Sequence, residues 1–352
     1  MLFPPVFMRF WLFIFAVLVV LLGVLSFNLH VFNYFSRIES ISIAHCTPVS
    51  GIPGPEDIEI DPRHGRAFIS SLDRRSAQSR GAIHVFALND PLAAAGFRDR
   101  TMGVPEDFRP LGLDYYEDGD IRRLFVVNEA GPAIEIFDVA DNGDLTHVET
   151  MSERRLMSPN NIVATGSRAF YVTNDVRGGR VGPMANLAFL FRLGSGEVFY
   201  VDGKAWRLEA EGLKFANGLA LSPDGGSLYV AETAGKSVQV YDRNAVNGAL
   251  RHRQAISLPS SPDNLNIDEN GSIWVGALPK PLTVPQLLSD RKAHAASEVF
   301  QIDPSGAVST VYRNDGAEIS ATTVAARLAN KLLIGALYDE KFLFCELPKS
   351  VD

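Results

Sequence analysis

One pattern recurs six times along the chain and constrains the fold more than any other feature. Each unit has a small polar pair, an alternating apolar run, a turn and a second apolar run. The units read "PEDIEIDPRHGRAFISS" from Pro55, "PLGLDYYEDGDIRRLFVVNE" from Pro110, "PNNIVATGSRAFYVTND" from Pro159, "ANGLALSPDGGSLYVAET" from Ala216, "PDNLNIDENGSIWVGA" from Pro262 and "ATTVAARLANKLLIGAL" from Ala321. The period is roughly 50 residues. Alternation at period two, broken by Asp-Gly and Asn-Gly, is the signature of antiparallel hairpins. Further strand-like runs such as "AIEIFDV" and "SVQVYD" lie between the units. Six units of about four short strands predict an all-β, six-bladed β-propeller. A two-sheet sandwich is the competing architecture, but it leaves the repeat unexplained.

The first segment has a different character. From Phe10 to Phe27, "FWLFIFAVLVVLLGVLSF", there is no charged residue, and none stands between Arg9 and Arg37. Such a run is long enough to cross a bilayer as a helix. A cleaved signal is the rival, but its apolar core is shorter and ends in small residues, whereas "NLHVFNYF" follows here. The expected organisation is therefore a membrane-anchor or uncleaved signal helix over residues 1–36, then the propeller over 37–352, on the exported side of a membrane. A net charge of −8 gives no basic footprint for nucleic acid.

The two cysteines, Cys46 and Cys345, flank the repeats. A bridge between them would tie the two ends of the ring and requires an oxidising compartment; two independent buried thiols are the alternative. Asn270 begins "NGS", an acceptor pattern for N-glycosylation that is also an ordinary hairpin turn.

In a propeller, the residues just before each innermost strand converge on the central channel. Aligned across the six units, the first of each pair is Glu56, Leu111, Asn160, Asn217, Asp263 and Thr322; the second is Asp57, Gly112, Asn161, Gly218, Asn264 and Thr323. The ring thus gathers carboxylates from Glu56 and Asp263 and amides from Asn160, Asn217 and Asn264. Hard oxygen donors without histidine or cysteine suit calcium. Asp57, pointing the other way, would serve a second, deeper ion with Asn161 and the backbone carbonyl of Leu113. Turn formation by Asx residues is the bland reading of any one pair; it does not account for pairs in register across four units.

This pattern resembles the paraoxonase (arylesterase/lactonase) family of calcium-dependent six-bladed propeller hydrolases. The resemblance runs from about Cys46 to Leu347 and is carried by "EDIEI", "NNIVA", "FYVTND", "FANGLALSPDGGSLYVAE", "DNLNID", "WVG", "SEVF" and "FCEL". It implies a catalytic calcium on Glu56, Asn160, Asn217, Asp263 and Asn264, a structural calcium on Asp57, Asn161 and the Leu113 carbonyl, and a Cys46–Cys345 disulfide. There are departures. Asn161 stands where the family has an aspartate. Leu111 and Glu129 stand where it has the histidine pair assigned to lactone hydrolysis, and Ala277 replaces its free cysteine. None of the seven histidines, at 30, 45, 64, 84, 147, 252 and 294, falls in a mouth motif.

The expected activity is therefore calcium-dependent hydrolysis of a small ester or lactone, with phosphotriesters as a further substrate class. Calcium would polarise the carbonyl, with Glu129 as the base or Asp263 as a direct nucleophile. "LDRRSAQSRG", Leu72 to Gly81, matches the family's mobile loop over the mouth. The alternative is a non-catalytic, membrane-tethered calcium propeller that binds a partner protein; a strictosidine-synthase-like propeller is a third reading that needs no such ligand set.

Overall fold

The computed structural model describes residues 5–89 and 100–348, with side chains from residue 9 on. Six sheets, antiparallel but for the short edge strand Thr101–Met102, which runs parallel to Leu145–Ser152, stand around a central axis. Their innermost strands are Pro55–Asp61, Pro110–Asp118, Pro159–Gly166, Ala216–Leu221, Ser261–Ile267 and Thr322–Leu328. These six open the six repeat units, and we number the blades one to six in that order. Neighbouring inner strands touch all round, including the sixth against the first.

The ring closes by sharing its last blade between the two chain ends. His45–Ser50 is the outermost strand of blade six and pairs with Lys341–Glu346, with Cys46 opposite Cys345. The two cysteines are bonded, across a separation of 299 residues. Loop closure on that scale contributes on the order of 5 kcal/mol in the chain-entropy account.

Blades hold together through apolar side chains from facing sheets. Phe125 and Ile134 of blade two pack with Ile162 and Phe170 of blade three; Ile58 and Phe86 of blade one pack with Val324 and Phe342 of blade six. Each fully buried Phe or Ile contributes roughly 1.5–3 kcal/mol. Inner strands keep the alternation of the repeat, Ile58, Glu59 and Ile60 in blade one and Leu265, Asn266 and Ile267 in blade five, with most of their residues buried.

Helix α1, Pro5–Val31, precedes the propeller. Among the described residues it is the one helix long and apolar enough to cross a membrane, over Arg9–Val31, and nothing in its most apolar stretch of 18 residues is buried. Its end docks on the propeller. Phe32 is fully buried and stacks on Phe189 at 5.3 Å, and Lys236 Nζ donates to the Val31 carbonyl at 2.8 Å. Phe189 lies on α2, Pro183–Leu190, inserted between the second and third strands of blade three. Hairpin periodicity gives no sign of α2.

Candidate functional site

In every blade the pairing between the first and second strands slips at the same place. The register breaks between Pro55 and Ile58, Pro110 and Leu113, Pro159 and Ile162, Ala216 and Leu219, Pro262 and Leu265, and Thr322 and Ala325. A bulge of this kind frees residues from the ladder and re-aims their side chains. The freed pairs are the polar pairs of the repeat, now facing the axis. Blade six corrects the sequence alignment by one residue: its freed pair is Thr323 and Val324, not Thr322 and Thr323, and Thr322 stands opposite Ala336 as an ordinary ladder residue. An alignment on small residues could not see a one-residue slip that only the ladder fixes. Glycine at the second position of blades two and four has a steric cause. A Cβ on Gly112 would lie 2.5 Å from the Asn160 carbonyl, and one on Gly218 would lie 2.6 Å from the Asp263 carbonyl.

The first residues of the pairs form a mouth layer. Glu56, Asn160, Asn217 and Asp263 are all buried. The amide nitrogens are held in place: Asn160 Nδ2 donates to Asp175 at 3.4 Å, and Asn217 Nδ2 donates to the Thr233 hydroxyl at 3.1 Å and also serves the Asp263 carboxylate. Their oxygens therefore point the other way. Glu56 Oε2, Asn160 Oδ1, Asn217 Oδ1 and Asp175 Oδ1 are buried and, among the described residues, accept no hydrogen bond. Orphaned buried acceptors are costly unless a cation or donor meets them. Burial pushes the Glu56 carboxyl above its usual range, against the pull of Arg74 and a hydrogen bond from Asn264. Burial and then Glu56 itself push Asp263 well up.

The second residues form a deeper layer with no oxygen to spare. Asp57 accepts from the backbone N–H of Ile58 at 3.0 Å and of Leu113 at 2.8 Å, and from Asn161 Nδ2 at 2.9 Å. Leu113 thus meets Asp57 through its N–H, where the resemblance pointed to its carbonyl. Asn161 Nδ2 also donates to Asn264 Oδ1 at 3.0 Å, and Asn161 Oδ1 accepts from the Leu219 N–H at 3.1 Å. Asn264 belongs to this layer, with its Nδ2 donating to Glu56 Oε1 at 3.0 Å. Burial, and then Glu56, raise Asp57 well above the ordinary carboxylate value.

Glu129 reaches the rim, between Arg109 at 3.6 Å and Arg180 at 3.4 Å. Arg180 also pairs with Asp175 at 3.0 Å; burial works against its charge, yet Asp175 and Glu129 keep the guanidinium firmly protonated. Leu111, in the other histidine position, packs into the apolar cluster between blades two and three. The Leu72–Gly81 loop is strapped across the mouth. Arg74 donates to the carbonyls of Gly54 at 3.3 Å and Pro110 at 3.0 Å, and Arg75 to those of Leu287 at 2.9 Å and Tyr338 at 2.6 Å. Asp175, Arg74 and Arg180 were not among the residues expected at the site. Asp175 had a signal, since "TND" ends the second strand beside the mouth, as "AET" does in blade four with Thr233; the arginines lie in loops with no periodicity to mark them. Asn270 is exposed in the hairpin turn after Ile267.

Fold and site together define a propeller whose channel mouth is a ring of oriented oxygen donors. Among the described residues no three histidine, cysteine or acidic side chains gather in a metal-sized group; the donors here are amides as much as carboxylates. The arylesterase family model matches residues 37–347, and the chain belongs to the arylesterase family. Human serum paraoxonase/arylesterase 1 is 32% identical over 352 residues, covering 93% of this chain and 97% of that protein. Among solved structures, a gluconolactonase from Xanthomonas campestris superposes with a TM-score of 0.57 at 17% identity, over 87% of this chain and 90% of its own. A regucalcin from Agrobacterium tumefaciens, described as a calcium-binding protein, gives 0.51 at 15% identity, over 86% and 93%.

Proposed function

We propose that the chain is a calcium-dependent hydrolase of carboxylic esters or lactones, held to a membrane by α1 with the propeller on the exported side. One observation carries the metal: Glu56, Asn160 and Asn217, from the first positions of three pairs around the ring, each keep a buried oxygen that accepts no hydrogen bond among the described residues, beside the buried Asp263 carboxylate. Two carboxylates and two neutral amides there, Glu56, Asp263, Asn160 and Asn217, fit a divalent hard cation in charge and in donor type. The arylesterase family and a relative of that printed name support ester chemistry, and the regucalcin neighbour is itself described as calcium-binding.

The deeper layer does not fit a second ion as its side chains stand. Asn161 already places an N–H against both Asp57 and Asn264, so a cation would have to displace a donor. The expectation of two ions is narrowed to one, at the mouth.

Calcium, when bound, supplies a Lewis acid for the scissile carbonyl. The chain's own residues do the rest. Asp175 and Thr233 fix the two amides so that their oxygens need no reorganisation. Glu129, steered by Arg109 and Arg180, is the rim carboxylate within the site that can take a proton from the attacking water; Asp263 as direct nucleophile is the variant of this mechanism. Leu111 turns into the apolar cluster between blades two and three and brings no polar group to the mouth. The strapped loop covers the entrance.

The test is hydrolysis of aryl esters, lactones and phosphotriesters by the purified full chain, with calcium and with chelator. Turnover that disappears in chelator and returns with calcium is expected. A protein that binds calcium yet hydrolyses none of them favours the alternative of a calcium-stabilised propeller that binds a partner protein.

A further inference from the structure

Three guanidiniums crowd a mouth that the reading above assigns to a cation, and their placement is the puzzle. Arg74 bridges the starts of blades one and two, through the Gly54 and Pro110 carbonyls. Arg180 holds the start of blade three, donating to the Pro159 carbonyl at 2.6 Å and pairing with Asp175. Both act on the charge of Glu56 and of Asp263. Arg109 completes the set against Glu129.

The donors are not used up. A guanidinium carries five N–H groups in a rigid fork. Arg74 uses only two hydrogen bonds to hold the two carbonyls, and its Nε is buried with no acceptor. Glu129 sits at 3.4 and 3.6 Å from its arginines, longer than the about 2.7–2.9 Å of a tight charge-assisted bond. The charge count points the same way. Glu56, Asp263, Asp175 and Glu129 face Arg74, Arg109 and Arg180, so a bound divalent cation turns the mouth from net negative to net positive. A neutral substrate leaves that excess unmatched.

We propose that the mouth selects esters and lactones bearing a carboxylate next to the scissile group, and that Arg74, through its free Nε–H and remaining fork, is the residue that recognises it, with Arg180 adding attraction from across the mouth. This rests on the hydrolase reading and names its substrate class. No bond changes at the arginines; they bind and orient.

The test uses the full chain, calcium-loaded, in detergent micelles, and a matched pair of lactones. One is γ-valerolactone; the other carries a carboxylate in place of the methyl group on the same ring carbon. The expected kcat/KM favours the carboxylate lactone by about 10- to 100-fold, and the preference shrinks as salt is raised. Arg74→Gln brings the ratio close to one, and Arg74→Lys restores part of it. Arg180 also secures Asp175, so Arg74 is the variant that isolates recognition. A parent enzyme that turns over both lactones without preference overturns this inference and leaves the hydrolase reading standing. A preference that survives Arg74→Gln assigns the carboxylate to the ion and also overturns it. Calorimetric titration with tetrahydrofuran-2-carboxylate reads recognition without turnover. Binding that Arg74→Gln abolishes supports the recognition site even if neither lactone is hydrolysed, in which case the hydrolase reading falls alone. Absence of both binding and turnover sinks both.

Discussion

The two layers of the channel are built from adjacent residues of the same strands, yet they solve the burial of polar groups in opposite ways. In the deep layer Asp57 receives three N–H donors, and Asn161 and Asn264 answer one another and their neighbours. That layer is a closed network, of the kind that rigidifies a core. In the mouth layer the amide nitrogens go to Asp175, Thr233 and the Asp263 carboxylate, and the amide oxygens are left bare. The same amide side chain serves as cement at position 161 and as a ligand at position 160. What differs is the neighbour that claims its nitrogen. A buried network that is incomplete on one side only is how a fold holds a place for something it does not itself contain.

Four measurements sharpen or break this contrast. Asp263→Asn removes a charge from the bare layer; ester turnover is expected to fall by about 10³-fold or more and calcium affinity with it. Retained calcium binding, seen by titration calorimetry, would place the ion elsewhere. Glu129→Gln leaves both layers intact and removes the rim base, with an expected loss of about 10²-fold in kcat and unchanged calcium affinity. A variant at full rate transfers the role to Asp263 or to water on the ion.

Chelation tests the layers through stability. Saturating calcium adds about 4 kcal/mol at a thousandfold excess over Kd, so chelator is expected to lower Tm by about 10 °C. The effect depends on pH. Glu56, Asp57, Glu59 and Asp263 are raised, each chiefly by burial, and burial pushes Asp114 from 3.8 up to about 7. The folded state therefore holds these protons more tightly than the unfolded one. The contribution of these groups to ion-free stability is greatest on the acid side, and that of Asp114 declines as pH climbs from about 3.8 through about 7. Calcium competes with the protons on Glu56 and Asp263 only, so its stabilisation grows with pH while the decline from Asp57, Glu59 and Asp114 persists. Equal calcium shifts at pH 5 and pH 8 would break the assignment of the ion to the mouth carboxylates.

The smallest effect is expected from Asn161→Asp. Without calcium it sets a second carboxylate beside Asp57 and deletes two donated hydrogen bonds, at about 1–3 kcal/mol. With calcium it opens the deep layer, and the bound ion count by equilibrium dialysis rises from one to two. A parent chain that already binds two ions would show that the amide network gives way.

Much of this was legible in the sequence because the repeat is. Period-two alternation fixes the strands, and the polar pair before each inner strand fixes which residues face the axis. Sequence spacing also brought Cys46 and Cys345 to the ends of the ring, where the structure pairs them. It could not fix the sixth blade's register, where Thr322, Thr323 and Val324 differ too little to mark a one-residue slip. Nor could it show which way an amide faces, since that is decided by Asp175 and Thr233, about fifteen residues further along each hairpin. The arginines carry no mark in the sequence because loop residues obey no period. The end of a strand marks Glu129, but nothing marks the two guanidiniums that flank it.

The closing blade also dictates an order of events. His45–Ser50 emerges early in synthesis, and its hydrogen-bonding partner, Lys341–Glu346, is the last of the described strands to be made. Until then the early strand has an unpaired edge, and Cys46 has no mate within the chain. No nascent fragment can complete the ring, however many blades it has built. A disulfide formed by Cys46 in that interval can only join it to a foreign thiol, so the native bridge must wait for Cys345 to be made.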